Sequence, residues 1–393
     1  MMKLVLHSTV FLWRNGDHVV LYDTATKASL NRAARDAGVR QLCSQWENID
    51  NLYVARFDEQ DEAPGTSAFI EEVVNKGFGS LYGENDMALA FPPVLSIDQG
   101  VEKLSSWKNG YDSQPVLLYL TKLQCYLGGS GDGVDWWRQT AFPMTSKERL
   151  DPVRLSGFLS RCSPQALAQI QIVITEWDDA TLSSLKDVLE NAKDRVRIFF
   201  ADSDPGFNNE ILAGLSADGY AVTQVCPPYK SIVKASWVPG RKYQLLIRSE
   251  EEGEYWETLL QDAENVDCDF KPIADNNLDF FRENVFLSEE EILSQKLTKK
   301  DIFRHQALNA NQFGTLYVFP DGTIHPAADA PAIGTLEDSV HQTIVRELEE
   351  NHAWRQTRRL MEPCKNCLYH DLCPSPSVYE RIFGVPGCTY WQK

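Results

Sequence analysis

The sequence predicts an α/β fold: an incomplete (β/α)6 barrel, preceded by a hairpin-plus-helices module and followed by a metal-binding domain. Three observations predict it. Strand-like apolar runs alternate with helical stripes through the middle of the chain. An Asn-Gly turn joins two apolar runs near the start. Four cysteines cluster near the end.

The chain has 393 residues, enough for two or three domains with sizeable cores. The opening stretch, MMKLVLHSTVFLW, has Lys3 before apolar residues, but His7 and Ser8 interrupt the run and no small-residue cleavage site follows. It reads as a first strand rather than a signal peptide. No stretch has the ~18 uninterrupted apolar residues of a membrane helix. The expected location is therefore the cytoplasm, with no membrane partner. Strands are expected at 10–14 and 18–22 around Asn15-Gly16, because both turn residues tolerate positive φ. A helix is expected over 30–45 and a third strand over 52–56. A second helix follows Ala63-Pro64-Gly65, presenting Phe69, Ile70, Val73 and Val74 and stopping at Gly77.

The middle of the chain has strand-like runs at 116–120, 170–174, 196–200, 220–225, 243–247 and 268–273. Leu182, Leu185, Val188 and Leu189 form one helical stripe between them; Ile211, Leu212 and Leu215 form another. Such alternation implies parallel strands joined by crossovers, and about six units imply an incomplete barrel. In the last segment, a strand over 314–319, a Pro320-Asp321-Gly322 turn and Thr323-Ile324-His325 suggest a hairpin. Thr335 and Asp338 resemble a capping box that opens a helix with Leu336, Val340, Ile344 and Leu348.

The cysteine motif is Cys364-x2-Cys367-x5-Cys373, with Cys388 after a longer gap. Two sulfurs separated by two residues can grip one centre from a tight turn. Four thiolates suit a [4Fe–4S] cluster or a tetrahedral zinc ion. Structural zinc usually repeats C-x2-C in both halves of its site, and this motif does not, which favours iron. Zinc stays open, since His370 inside the loop could replace a cysteine. Leu372 and Pro374 are expected to keep solvent away. The other five cysteines are scattered singly.

The stretch from Pro363-Cys-Lys-Asn-Cys-Leu-Tyr369 through Leu372-Cys-Pro-Ser-Pro-Ser-Val-Tyr-Glu380 resembles the SPASM domain of radical S-adenosylmethionine enzymes that modify ribosomally made peptides. The Phe319-Pro-Asp-Gly-Thr-Ile-His-Pro326 turn and Ile333-Gly334 are similar to what precedes the motif in that family. The resemblance implies two auxiliary clusters. One uses C-x2-C-x5-C plus a late cysteine. The other draws on cysteines around the hairpin and on one four residues after the motif. Here those places hold Ala327, Ala328 and Ser377. One cluster is thus expected to be kept and the other lost.

A catalytic barrel of that family would carry C-x3-C-x2-C after its first strand. Only Cys125 stands there, and one thiolate cannot hold the cluster. The second strand, running from Ile172 to Trp177, has no Gly-Gly-Glu-Pro. The glycine run from Gly128 to Gly133 lacks a GK[ST] ending and reads as a remnant loop; Trp136-Trp137 reads as core or interface. The whole chain, including IFRHQALNANQFG from Ile302, resembles a pseudo-radical-SAM protein encoded beside a true radical enzyme.

The resemblance implies three domains. Residues 1–95 form a winged-helix-like, PqqD-like peptide-recognition module, 96–275 a degenerate radical-SAM-like partial barrel, and 276–393 a SPASM-like iron–sulfur domain with one cluster. Leu52, Tyr53, Val54, Ala55 and Arg56 would offer a strand edge for a peptide, and Phe69 and Val73 its side-chain pockets. The expected partners are a radical SAM maturase, as a heterodimer, and a ribosomal precursor peptide. No S-adenosylmethionine and no catalytic residue are expected. The alternatives are an iron–sulfur electron-transfer or repurposed peptide-modifying enzyme, and a zinc-stabilised scaffold. A net charge of −18 argues against nucleic acid, whose phosphates need a basic footprint.

Overall fold

The computed structural model describes residues 1–58, 63–94, 114–128, 148–174, 179–201, 209–226, 237, 241–261 and 266–390. Gly129 to Gly133, Trp136-Trp137 and the end of the second-strand reading at Thr175 to Trp177 lie outside these described residues.

The N-terminal region has two three-stranded antiparallel sheets. In the first, β1 (Met2–Leu6) lies between β5 (Val54–Phe57) and β6 (Gly79–Gly83). The second is a meander of β2 (Val10–Asn15), β3 (His18–Asp23) and β4 (Ser29–Ala33). Gly16 takes φ +56 at the expected turn. Two corrections follow. Residues 29–33 form a strand, and helix α1 is Ala37–Glu47, beginning where Asp36 caps it. Ser29 to Ala33 pair antiparallel with β3, Leu30 opposite Leu21, so the sheet ladder rather than a helix takes their backbone. The third strand begins at Val54, because Leu52 and Tyr53 are left-handed, at φ +52 and +58. Helix α2 (Pro64–Asn75) ends, as expected, before Gly77 at φ +73.

The meander works with both faces. Alternate residues of a strand point to opposite sides. Val10, Val19 and Leu21 enter a core with α1 and α2. Phe11, Trp13, Val20 and Tyr22 enter a second core that contains Cys367, Cys373 and Cys388.

The rest of the chain is mixed α/β, built on a nine-stranded, mostly parallel sheet. It contains β7 (Lys122–Tyr126), β8 (Gln169–Ile174), β9 (Val196–Ala201), β10 (Ala221–Cys226), β11 (Lys242–Ile247) and β12 (Asp267–Pro272), side by side in sequence order. Helices α4 (Pro152–Leu159), α5 (Asp179–Leu189), α6 (Asn209–Ala217) and α7 (Glu250–Gln261) lie between strands along the chain. The expected strand at 116–120 is corrected: a short helix, α3 (Gln114–Leu117), occupies its start. Val116 and Leu120, four apart, are buried while Leu118 is 52% exposed, so the apolar run has helical rather than strand spacing.

Side chains from one face of the sheet, including Leu123, Cys125, Ile172 and Ile198, join a core shared with the helices. The other face carries Tyr126, Val173, Val225, Leu246 and Tyr317. The sheet is curled about this second face. Flat, its strands β7 and β12 would stand ~24 Å apart at ~4.8 Å per strand. Yet Tyr126 on β7, Leu246 on β11 and Ile273 just past β12 meet in one cluster. On β12, burial and the neighbouring Lys122 bring the Lys271 ammonium down to about 8.

Beyond β12 come α8 (Leu278–Asn284), α9 (Glu289–Ser294) and α10 (Lys299–Ala307). Strand β13 (Thr315–Val318) then pairs parallel with β7, and β14 (Thr323–His325) and β15 (Gly334–Thr335) extend the sheet by antiparallel pairing. Helix α11 (Val340–Glu350) starts later than expected. Thr335 lies in β15, and its N–H is bonded by Asp338, so that pair closes a turn before the helix. Among the described residues, no helix is long and apolar enough to cross a membrane.

Candidate metal centre

The segment that carries the cysteines is mostly tight turns. The Cys367 N–H donates to the Cys364 carbonyl (2.9 Å) and that of Cys373 to Tyr369 (2.8 Å). Cys388 pairs with Leu287, whose backbone is bonded to Gly387 and Thr389 on either side. The fourth cysteine is thus fastened beside α9. All four thiols are buried.

They converge electrostatically. Burial pushes the Cys373 thiol up, and Cys367, Cys388 and Cys364 each push it further. Arg358 pulls the other way. Burial also raises Cys364, again opposed by Arg358. Cys364 Sγ accepts from Arg358 Nη1 at 3.6 Å, and Cys367 Sγ accepts from the Tyr369 backbone N–H at 3.4 Å. Such donors stabilise thiolate.

Arg358 is held in place. It forms a two-pronged pair with Glu380 at 2.9 and 3.0 Å, and its Nε donates to the Pro374 carbonyl at 2.6 Å. Both partners are almost fully buried. Burial opposes the charge on Arg358, but Glu380 and the thiols outweigh it and keep the guanidinium protonated. Glu380 also takes part in a reciprocal capping box with Ser377 at the start of α12 (Val378–Phe383). Ser377 thus caps α12. A Cβ on Gly387 would lie 2.7 Å from Glu380 Oε1, so glycine leaves room for that carboxylate.

A second buried carboxylate, Asp371, anchors the loop between Cys367 and Cys373. It accepts from Arg359 Nε (2.7 Å) and Nη2 (2.6 Å), Trp13 Nε1 (2.9 Å) and Gln306 Nε2 (3.0 Å). Burial would raise its pKa, but bonds from Arg359 and His370 outweigh burial and hold it well below the usual carboxylate range. The His370 ring places Nδ1 on the Cys367 carbonyl and Nε2 3.4 Å from Asp371 Oδ1. Both ring nitrogens are therefore engaged within the loop. His325 bonds Thr323 and the Ala330 carbonyl and stacks on Phe319. Ala327 is buried in the core shared by sheet and helices.

Among the described residues, no three His, Cys, Asp or Glu side chains stand close enough to hold a metal ion. The four thiols are buried and act on one another electrostatically. A cluster with several metal atoms tolerates wider sulfur spacing than a tetrahedral zinc ion, whose Zn–S bonds are about 2.3 Å. The N–H donors and the buried guanidinium suit an anionic cluster held by thiolates. Loading it would release protons, because burial favours the neutral thiols.

The seven residues expected to meet a peptide are less open. Tyr53, Val54, Ala55, Phe69 and Val73 are buried. The Tyr53 hydroxyl bonds the Val10 carbonyl at 3.0 Å, and Leu52 closes a turn. Arg56 is exposed, but its N–H and C=O are taken by the Gln45 side chain at 2.8 and 3.0 Å. That amide closes the outer edge of β5 at this point. The sequence reading missed a groove of about 310 Å³ lined by Phe57, Ile70, Glu71, Val74 and Leu81. Ile70 and Val74 stood in the helical stripe read from the sequence; Leu81, on β6, did not.

No protein-family model matches the chain, and no curated protein does. Solved structures with some likeness include Streptococcus suis SuiB bound to precursor peptide SuiA, with TM-score 0.40, 9% identity and 97% of each chain covered. Another is anSMEcpe with bound AdoMet, with TM-score 0.41, 11% identity, and 64% of this chain and 88% of that one covered. A third is BtrN in an open conformation, with TM-score 0.32, 10% identity, and 63% and 92% covered. Scores this low carry no argument about fold or function.

Proposed function

We propose that this chain is a non-catalytic partner or scaffold subunit in the maturation of a ribosomally synthesised peptide. It would bind the precursor peptide, a true radical SAM enzyme, or both. One [4Fe–4S] cluster on Cys364, Cys367, Cys373 and Cys388 would stabilise its SPASM-like C-terminal domain. The observation that supports this most is the contrast in sulfur placement. Four thiols converge beside Arg358. In the degenerate barrel, Cys125 packs into the core shared with the helices, and the C-x3-C-x2-C positions after it hold Gly129 and Asp132.

With the cluster bound, the site's chemistry is electron transfer at most, since four protein ligands leave no open iron. The chain's own residues do the rest. Arg358 donates to a ligating sulfur, Asp371 fixes the loop, and the meander's Phe11 and Trp13 cover it. The peptide-recognition role goes to the N-terminal module, with the groove of Phe57, Ile70, Val74 and Leu81 as the open apolar surface beside α2.

The test is anaerobic purification and reconstitution, followed by assay of S-adenosylmethionine cleavage with dithionite. The expected result is about four irons per chain, no zinc and no 5′-deoxyadenosine from the protein alone. Robust 5′-deoxyadenosine formation would sink the non-catalytic reading, and one zinc per chain would sink the cluster. Co-purification with a candidate maturase and precursor peptide, with and without residues 1–95, tests the partners.

A further inference from the structure

We propose that Arg358 sets the reduction potential of the C-terminal cluster, acting as a positioned cation on a ligating sulfur. This rests on the cluster assigned to the four cysteines above. Three observations carry it. Arg358 Nη1 lies 3.6 Å from Cys364 Sγ, an N–H of a charged side chain bonded to one of the four sulfurs. Both Arg358 and its partner Glu380 are buried, so water does not screen this charge as it would at the surface. The guanidinium cannot swing away, since Glu380 holds two of its N–H groups and the Pro374 carbonyl a third.

Placement of this kind goes beyond what holding a fold requires. Reduction adds one electron, hence one negative charge, to the cluster and its thiolates. A fixed N–H donor on a sulfur favours that state and raises the potential. Glu380 acts in the opposite direction as a nearby anion, but it bonds the guanidinium, sharing Nη1 with Cys364, rather than a sulfur. A surface lysine could supply charge to the region without aiming it. The arginine fork ties one N–H to sulfur while the carboxylate fixes the plane. Arg358 is therefore a positioning residue, and the same fork that orders α12 through Glu380 aims a donor at the cluster.

The experiment uses the full chain, reconstituted anaerobically, with electrons supplied by a mediated electrode. Iron content and midpoint potential are measured for the wild type, Arg358→Lys and the double variant Arg358→Gln with Glu380→Gln. The double variant removes both charges, so it leaves no buried carboxylate unpaired. The expected result is wild-type iron in the variants, a lower potential in the double variant and an intermediate one in Arg358→Lys. Exchangeable-proton coupling to the reduced cluster should weaken in the same order. Wild-type potential in iron-replete variants would overturn the proposal. So would loss of iron from both variants, which would mark Arg358 as purely structural. Wild-type protein that takes up no iron defeats the cluster reading instead, and that arm is read before any variant is made.

Discussion

Cys125 and Cys373 are both buried, yet their surroundings differ in kind. Cys125 stands on β7 among Leu123, Ile172 and Val318, where burial pushes its thiol far up and Cys162 adds to the effect. Cys373 lies in a region where burial is opposed by Arg358, and where two ion pairs, Arg358–Glu380 and Arg359–Asp371, fix the surrounding loops. Burial in hydrocarbon makes a cysteine a small apolar residue. Burial beside held charges makes it a ligand candidate. The difference separates a thiol packed in hydrocarbon from thiols packed beside held charges.

The strongest way to break the comparison is Cys364→Ala. If the C-terminal thiols hold a cluster, this variant should lose most of its iron. The region after residue 276 should become protease-sensitive while the strands β7 to β12 stay protected, because metal binding contributes directly to local folding. Unchanged proteolysis of that region would count against a structural cluster.

Next is the anchor of the loop. Asp371→Ala leaves the Trp13 indole, the Gln306 amide and Arg359 without their shared acceptor. We expect a loss of about 3 kcal/mol by urea unfolding, at the low end for breaking a buried pair because Arg359 is partly exposed. The pH dependence has a fixed sign. The folded-state pKa of Asp371 is depressed, so its contribution is full above the ordinary carboxylate range and fades as pH falls below ~4. A variant with the same acid-unfolding profile as the wild type would remove Asp371 from this role.

The curled sheet provides a contrast in buried charge. Here burial and Lys122 bring Lys271 down to about 8, against ~10.4 for a free lysine. Between those values the unfolded chain holds a proton that the folded chain has released. Stability should therefore rise with pH from about 8 and be lost as pH falls through that value. Lys271→Met should flatten this rise and gain about 1–2 kcal/mol near neutrality, less than the full shift implies because the side chain is only half-buried. Equal alkaline slopes in urea titrations of the two proteins would refute it.

What could be read from the sequence follows from how local each signal is. The strand at 170–174 and the Asn15-Gly16 hairpin were legible because alternation and turn chemistry are local. The strand at 116–120 was misread because a short apolar run looks the same in a buried helix, and only Leu118 facing out reveals it. The cysteine spacing pointed to one site, but Arg358 and Asp371 did not stand out. An arginine six residues before a cysteine is unremarkable until α12 returns Glu380 to meet it. Trp13 meets Asp371 from 358 residues away, a pairing no local pattern encodes.

The smallest effect is the most discriminating for the contrast between the two kinds of cysteine. Cys125→Ala removes one sulfur from a packed core, which should cost about 1 kcal/mol through the small cavity it leaves. It should change neither iron content nor the cluster's spectrum, because its neighbours are Leu123, Ile172 and Val318 rather than donors or cations. If Cys125→Ala lowers iron as Cys364→Ala does, then hydrocarbon surroundings do not exclude a ligand here. The sulfur on β7 would then belong to a second centre, and the reading of this sheet as a barrel without its catalytic cluster would fall.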